Sequence, residues 1–288
     1  MTRRPVYVCD LDGTLLRSDG SLSESAKRGL NQLLADGARL TVASSRSTPA
    51  MRALLGGVEL RLPVMELNGA FISELETGRH VAGNVLSSPV ARTAIEAILS
   101  TGTDPVLSAW DGSTDRVYFG SRSNTGTHWY VEEKRQYGDP RLTPCDDLIA
   151  VLDGAQVAAI TTFALDAAAA GLTERLRNLV AGSAVVHSAQ NAYCPGWTEV
   201  QIQHENAEKG AAVPSLLAAC GIADAELIAC GDHLNDLGLF AAAAYSVAPA
   251  NAHPAVLKVA SEIVGSNDQD GIVQWLIDHH AVSRGRMC

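Results

Sequence analysis

Near the start of the chain lies the segment Val6-Tyr7-Val8-Cys9-Asp10-Leu11-Asp12-Gly13-Thr14-Leu15, in which an apolar run gives way to two carboxylates and a glycine. The apolar run predicts a buried strand, and the glycine predicts a loop at its carboxyl end. Open α/β sheets place their chemistry at that end of their strands. An isolated Asp-x-Asp-Gly is also typical of turns and helix caps. Because neighbouring carboxylates repel one another and resist desolvation, we expect a cation or a reaction to involve Asp10 and Asp12.

The composition is that of an ordinary globular protein, and it argues against several classes of function. The 288 residues are 47% hydrophobic and 19% charged, which is enough for a sizeable core and for two domains. The net charge of −10 argues against a nucleic-acid partner and an anionic membrane surface. No apolar stretch approaches a signal-peptide core or the roughly 20 residues that span a bilayer, so we expect a cytoplasmic protein without a membrane partner.

The cysteines follow no paired spacing. We therefore expect reduced thiols, and neither a zinc site nor a disulfide framework. The six positions are Cys9, Cys145, Cys194, Cys220, Cys230 and Cys288.

A strand–helix–strand unit of the parallel type follows the first segment. Apolar residues of the predicted helix share one face, with Ser23 as its N-cap and Gly37 after its last turn. Residues 39–43 predict the second strand, which ends at Ser44-Ser45-Arg46. A hydroxyl at this strand end can donate to a phosphate oxygen, although most serines after strands are ordinary loop residues. Farther on, Asn68-Gly69 predicts a hairpin turn.

The pattern changes between about residue 84 and residue 190. Helices are predicted at 88–102 and 166–180, among short strands at 106–110, 116–119, 157–165 and 184–187. We interpret this region as an inserted α/β domain. The predicted organisation is therefore a first core part over 1–83, the insertion over 84–190, and a second core part over 191–288.

The second core part resumes with a predicted strand at 197–202. Lys209-Gly210 then opens a helix that ends at Cys220-Gly221, and Pro214 inside it predicts a kink or a first turn that starts late. A strand at 227–230 ends in Gly231-Asp232-His233-Leu234-Asn235-Asp236. Residues 245–248 are predicted to form the last core strand, and residues 270–277 a closing helix.

Four segments resemble, in order and spacing, the motifs of the haloacid dehalogenase (HAD) superfamily. They are Asp10 to Leu15, Ser44 to Arg46, Lys209-Gly210 and Gly231 to Asp236. The whole chain is similar to the Cof-like phosphatases of this superfamily. This resemblance implies an α/β fold in which a Rossmann-like core with a parallel sheet carries an inserted type-II α/β cap, with the active site between them. Two departures are Ser44-Ser45-Arg46, where Thr-Gly-Arg is usual, and His233, where small residues are commoner.

The resemblance also implies roles for the site residues. Asp10 would be the nucleophile that forms an aspartyl phosphate, and Asp12 the general acid and base. The implied cofactor is Mg²⁺, held by the side chains of Asp10 and Asp232 and the backbone carbonyl of Asp12, with Asp236 mostly behind them. Residues expected to hold the phosphate and the leaving group are Ser44, Lys209 and Asn235. Further candidates for substrate contact or assistance are Ser45, Arg46, Asn68 and His233.

The predicted function is Mg²⁺-dependent hydrolysis of a small phosphate monoester, a sugar phosphate or a related metabolite, by a monomer or small homo-oligomer. A phosphotransferase or mutase is the first alternative, because only the cap decides whether water or a second alcohol attacks the intermediate. A non-catalytic protein that binds a phosphorylated metabolite would be expected to lose a key carboxylate, and none is lost. A dehalogenase needs neither the metal nor Asp12, so these residues argue against it.

Overall fold

A computed structural model describes residues 4–136, 138–191 and 193–285. The chain divides into two compact units. We call them the core unit, Met1–Gly83 with Asn206–Cys288, and the inserted unit, Asn84–Glu205.

The strands, in chain order, are β1 (Pro5–Cys9), β2 (Arg39–Val42), β3 (Val64–Glu66), β4 (Phe71–Ser73), β5 (His80–Gly83), β6 (Val106–Trp110), β7 (Asp115–Phe119), β8 (Leu142–Pro144), β9 (Gln156–Leu165), β10 (Ala184–Gln190), β11 (Trp197–His204), β12 (Glu226–Cys230), β13 (Tyr245–Pro249) and β14 (Glu262–Val264). The α-helices are α1 (Glu24–Ala35), α2 (Thr48–Leu54), α3 (Ser88–Leu99), α4 (Thr125–Gln136), α5 (Asp166–Leu179), α6 (Val213–Ala219), α7 (Leu237–Ala242), α8 (Pro254–Leu257) and α9 (Gly271–Gly285). Short 3₁₀ segments lie at Leu67–Gly69, Ala150–Asp153, Leu234–Asp236 and Asn267–Gln269.

The core unit is built on a parallel sheet with the strand order β14-β13-β12-β1-β2. Successive residues of β1 point to opposite faces. Tyr7 and Cys9 pack with α1, α2 and α9, whereas Val6 and Val8 pack with α6, α7 and α8. Because both faces are covered, β1 is apolar throughout. The predicted α/β fold with a parallel sheet is confirmed.

The core unit also contains a small antiparallel sheet, β3-β4-β5. Ala43, just after β2, forms a parallel bridge to Met65 of β3. The predicted hairpin is present, but four residues join its strands instead of a two-residue Asn-Gly turn. Leu67, Asn68 and Gly69 all have positive φ in this connection.

The inserted unit is a mixed sheet with the strand order β10-β11-β9-β6-β7-β8. Its pairs are antiparallel except β7 with β8. Helices α3 and α5 contribute to its apolar cluster, in which Ile95 and Leu176 pack with Leu107, Ile160 and Val200 of the sheet. The alternating apolar residues of the strands supply the facing side of that cluster.

Several elements differ from the prediction. β11 pairs with β9 and β10, so it belongs to the inserted unit and the second boundary lies after Glu205 instead of after Gln190. Alternation identifies a strand but does not reveal which sheet it joins. β13 is not the last core strand, because the short and largely exposed β14 follows it.

The helix after Lys209 begins late, as one of the two predicted outcomes of Pro214. α6 starts at Val213, so Pro214 lies in its first turn, where the missing N–H breaks no helical bond. Lys209 consequently lies in a turn ahead of the helix.

Within the parts of the chain that the structure describes, no helix is long and apolar enough to cross a membrane. The cysteines in those parts are free thiols: Cys9, Cys145, Cys194, Cys220 and Cys230. Cys288 lies outside the described residues.

Candidate active site

The candidate site lies at the carboxyl ends of three neighbouring strands. Asp10 directly follows β1, Ser44 follows β2, and Asp232 follows β12. Since these strands are parallel and adjacent, their carboxyl ends meet at one edge of the sheet. The amide of Asp10 extends the pairing by donating to the carbonyl of Cys230 at 2.9 Å.

Three carboxylates converge there, and two of them pair with one buried ammonium. Asp10, Asp232 and Asp236 each place a carboxylate oxygen within 4.8 Å of the others. The side chain of Lys209 is 0% exposed, and its Nζ donates to Asp10 Oδ1 at 2.6 Å and to Asp236 Oδ1 at 2.7 Å. Buried lysines are rare unless they are paired, so the two carboxylates explain why this one is tolerated.

The charges in this cluster are unbalanced. Burial raises the pKa of Asp10 to about 8, because the attraction of Lys209 does not outweigh burial and the repulsion of Asp236. Burial, together with the charge of Asp236, also raises the pKa of Asp232. Burial alone would lower the pKa of Lys209, but the attraction of Asp10 and Asp236 is stronger and raises it. The ammonium therefore stays charged, while Asp10 and Asp232 resist ionisation.

Asp232 is held from the loop that follows β1. Thr14 Oγ1 donates to Asp232 Oδ1 at 2.7 Å. Gly13 has φ +76°, and a Cβ there would lie 2.4 Å from Asp232 Oδ2, so the close approach requires glycine. Asn251 Nδ2 donates to the carbonyl of Gly13 at 2.8 Å, and Asn251 Oδ1 accepts from the amide of Asn267 at 2.9 Å.

Asp236 is fixed by its own loop as well as by Lys209. Its Oδ2 accepts from the amides of Asp232 and His233, each at 3.0 Å. Its Oδ1 accepts from Lys209, so both oxygens already have donors. This is the arrangement expected of a carboxylate that orients the site from behind rather than one that binds a cation directly.

The side chain of Asp12 pairs with an arginine instead of joining the other carboxylates. Arg46 Nε donates to Asp12 Oδ2 at 2.7 Å, and Arg46 Nη2 donates to Asp12 Oδ1 at 2.6 Å. This forked ion pair orients the carboxylate of Asp12. Its side chain is not in the three-carboxylate cluster.

The other predicted residues lie in the core unit around this edge. Ser44 is buried, and its Oγ accepts from the amide of Arg46 at 3.1 Å. Asn235 Nδ2 donates to Asn68 Oδ1 at 3.2 Å. Ser45 is exposed, and His233 lies edge-on to His253 with ring centroids 5.9 Å apart.

Several supporting residues were not among the predicted site residues. Thr14, Asn251 and Asn267 anchor the loop that carries Asp12 and Gly13. Thr14 is part of the first motif, so its place in the sequence could have identified it as a site residue. The two asparagines lie far along the chain, and nothing in their local sequence distinguishes them from ordinary turn residues.

A model of the haloacid dehalogenase-like hydrolase family matches residues 7–276. The chain belongs to this family. The predicted family and the predicted type of enzyme are thereby confirmed.

Individual members of the family align over almost the whole chain. The 5-amino-6-(5-phospho-D-ribitylamino)uracil phosphatase YitU of Bacillus subtilis is 24% identical over 299 residues, which cover 98% of this chain and 100% of YitU. The pyridoxal phosphate phosphatase YbhA of Escherichia coli is 25% identical over 284 residues, covering 97% and 99%. The structure of a haloacid dehalogenase-like hydrolase from Bacteroides thetaiotaomicron, 23% identical, matches with a TM-score of 0.75 over 95% of this chain and 98% of that one.

The donor set of this haloacid dehalogenase-like hydrolase fits a hard divalent cation. Carboxylate oxygens are the ligands that such ions prefer. One ammonium lies among three carboxylates, and the pKa values of Asp10 and Asp232 are raised first by burial and then by the negative charge of Asp236. A divalent cation would offset the negative charge of these carboxylates.

Proposed function

We propose that this protein is a Mg²⁺-dependent phosphatase that hydrolyses a small phosphate monoester through an aspartyl phosphate on Asp10. The observation that carries the proposal is the cluster of Asp10, Asp232 and Asp236, in which the buried Lys209 pairs with Asp10 and Asp236. A carboxylate nucleophile must approach a phosphate dianion, and this requires a site in which negative charge is offset.

Asp10 and Asp232 would hold Mg²⁺ directly, with the backbone carbonyl of Asp12, while Asp236 keeps Lys209 and the 232–233 amides in place. When bound, the ion supplies positive charge that offsets the nucleophile and the phosphoryl group. Asp236 is assigned the indirect role because both of its oxygens already accept hydrogen bonds.

The reaction consists of two displacements at phosphorus. In the first, an oxygen of Asp10 bonds to phosphorus while the bond to the leaving oxygen breaks, and Asp12 gives that oxygen a proton. In the second, water bonds to phosphorus, Asp12 takes a proton from it, and inorganic phosphate leaves Asp10. Covalent catalysis of this kind replaces one difficult hydrolysis with two easier steps.

Lys209 serves both the nucleophile and the phosphate. An ammonium has three N–H donors, and two of them reach Asp10 and Asp236. The third can donate to a phosphoryl oxygen, with the Ser44 hydroxyl and the Asn235 amide as further donors. Arg46 donates to both oxygens of the ionised Asp12 carboxylate, as after the first step; when Asp12 carries the proton for the leaving oxygen, one oxygen carries that proton and the other keeps Arg46.

The names of the two relatives support a small phosphorylated metabolite as the substrate. By those names, YitU acts on a phosphorylated ribitylaminouracil and YbhA on pyridoxal phosphate. Both are phosphate monoesters of small molecules. We propose the same class for this chain, a sugar phosphate or a related metabolite phosphate.

The test is phosphate release from a broad panel of phosphorylated metabolites, measured with Mg²⁺ and again in excess chelator. We expect Mg²⁺-dependent release from a subset of the panel, and none from the Asp10→Asn variant. Release by the variant at the wild-type rate would contradict the assignment of the nucleophile.

A further inference from the structure

The loop that carries Ser44 and Arg46 is fastened to a second segment of the core unit. The amide of Ser44 donates to the carbonyl of Met65 at 3.0 Å. In the other direction, the amide of Asn68 donates to the carbonyl of Ser44 at 2.9 Å, and that of Leu67 donates to the carbonyl of Arg46 at 3.1 Å. Residues 44–46 are therefore positioned by residues 65–68.

One side chain completes this connection. Glu66 Oε2 accepts from the amide of Thr48 at 2.7 Å, and both groups are buried. Thr48 is the first residue of α2, and the preceding Ser47 makes no side-chain capping bond. Glu66 thus supplies, from another segment, an acceptor for one of the first helical N–H groups, which have no partner within the helix.

The carboxylate of Glu66 is itself held firmly. Its side chain is 1% exposed, and its Oε1 accepts from the hydroxyl of Ser73 and lies 3.2 Å from His80 Nδ1. His80, 8% exposed, stacks on Phe71 with ring centroids 4.0 Å apart. Burial would raise the pKa of Glu66, but the bonds from His80, Ser73 and Thr48 outweigh it and lower that pKa. The group therefore stays an acceptor.

The backbone between these contacts adopts a conformation that needs support. Leu67 and Asn68 have φ values of 50° and 58°, a region that residues other than glycine rarely adopt. Such residues persist where the surrounding structure determines them, and they cluster at functional sites. Asn68 also reaches the fourth motif, because its Oδ1 accepts from Asn235.

We propose that Glu66 is a positioning residue for catalysis: by holding the amide of Thr48, it fixes the loop that presents Ser44 to the phosphate and Arg46 to Asp12. The inference rests on the proposed function for its kinetic consequences. The structural link itself does not depend on that function. Glu66 touches neither Asp10 nor Asp12 in this arrangement, so its effect passes through the loop.

Two substitutions break the link from opposite sides. Glu66→Met removes the acceptor and keeps an unbranched side chain of similar length. Thr48→Pro removes the N–H donor, and the extended Ser47, with φ −80° and ψ 158°, accommodates a following proline in the first helical turn. The proline ring carbon replaces the hydrogen that faces Glu66 Oε2, so this variant also displaces the carboxylate. Glu66→Gln is the conservative variant, since its amide oxygen can still accept from Thr48.

Asn31→Ala is the matched control. Asn31 also fastens a loop of the core unit, because it donates to the carbonyl of Gly57 at 2.6 Å and accepts from the amide of Glu59 at 3.0 Å. That loop carries no proposed site residue. The control therefore reports the effect of loosening a loop that is not part of the site.

We expect Glu66→Met and Thr48→Pro to lower kcat by about 10-fold to 100-fold at saturating Mg²⁺, measured well below the unfolding temperature, because misplaced catalytic groups cost rates of this order. The ratio of nitrophenyl phosphate to alkyl phosphate turnover should rise, since Arg46 orients the proposed acid. Glu66→Gln should keep both kcat and this ratio near their wild-type values, and Asn31→Ala should change neither. Wild-type kcat and ratio in both link-breaking variants, or equal losses in Glu66→Gln and Glu66→Met, would overturn the proposal.

Hydrogen–deuterium exchange tests, independently of activity, whether Glu66 holds residues 44–48 in place. Peptides that span residues 44–48 and 65–69 should exchange faster in Glu66→Met and Thr48→Pro than in wild type, with the β1 and β12 peptides unchanged. If wild type releases no phosphate, the proposed function fails but the exchange result still tests the link. Unchanged exchange at 44–48 in both variants would refute the positioning role.

Discussion

Replacing Asp10 with asparagine should abolish turnover and, at the same time, stabilise the metal-free protein. Burial raises the pKa of Asp10 from 3.8 to about 8 in spite of the attraction of Lys209. The folded protein therefore disfavours the ionised carboxylate, whereas the unfolded chain ionises it freely. An asparagine cannot ionise, and its amide oxygen can still accept a hydrogen bond from Lys209.

The sign and size of the stability difference between Asp10→Asn and wild type follow from this raised pKa. A group whose pKa is higher in the folded protein than in the unfolded chain stabilises the fold at pH values below its pKa in the unfolded chain. This stabilisation is lost as the pH rises towards its pKa in the folded protein. For Asp10 the loss extends from about pH 4 to about pH 8. Each pKa unit is worth about 1.4 kcal/mol, so at pH 7 metal-free Asp10→Asn should be more stable than wild type by at most about 4 kcal/mol.

Urea unfolding in excess chelator, at about pH 5 and about pH 7, measures this difference. We expect the gain from Asp10→Asn to grow with pH, and Mg²⁺ to stabilise wild type much more than the variant. Asp278→Asn, at an exposed position of α9, is the control for losing an ordinary carboxylate. A metal-free Asp10→Asn protein that is less stable than wild type, or a difference that does not change with pH, would refute this reasoning.

Four further predictions concern the metal, the acid, the ammonium and the inserted unit. Chelation should abolish phosphate release and added Mg²⁺ should restore it, whereas hydrolysis that persists in chelator would exclude a metal requirement. Asp12→Asn should slow phosphoenzyme formation in single turnovers by about 10²–10⁴-fold for an alkyl phosphate and much less for nitrophenyl phosphate, and equal losses would make Asp12 structural. Lys209→Met should lower the free energy of unfolding by about 3–5 kcal/mol, because it leaves the buried Asp236 carboxylate without its cation, and an unchanged urea midpoint would contradict this. Substitutions within residues 84–205 should reorder a substrate panel, and uniform scaling of every substrate would contradict a role in specificity.

Much of the core unit could be predicted because its signals are local. The apolar run of β1 is buried on both faces, and the positions that follow β1, β2 and β12 are adjacent through the parallel pairing. The pairing of β1 with the distant β12 is not a local signal, and the meeting of Asp10 with Asp232 was expected from the family resemblance. Their catalytic roles remain predictions.

Elements without a clear pattern were missed. α4 buries only Gly126, Thr127 and Val131, so its sequence shows no apolar stripe. β11 has the alternation of a strand, but its membership in the inserted sheet depends on partners up to 44 residues away, such as Ala159, which pairs with Gln203. The residues of a strand do not by themselves specify which distant strand it pairs with or in which register.

Side-chain pairing was the least predictable part of the site. Arg46 and Asp12 are 34 residues apart, and Glu66 and Thr48 are 18 residues apart. The first pair depends on how two loops approach one another, and the second on how the end of β3 approaches the start of α2. Glu66 in particular resembles an ordinary strand-end residue until the helix that it caps is known.

The central claim is that phosphate is transferred to Asp10, and rapid-quench trapping tests it most directly. Wild-type enzyme would be mixed with Mg²⁺ and a substrate from which it releases phosphate, and the reaction would be quenched in acid. The protein would then be reduced with borohydride, and the modified residue identified by peptide mass spectrometry. We expect borohydride to convert Asp10 to homoserine as phosphate leaves, and no such conversion in Asp10→Asn. A phosphoryl group mapped to Ser44 after the acid quench, or to His233 after a parallel alkaline quench, would contradict the claim.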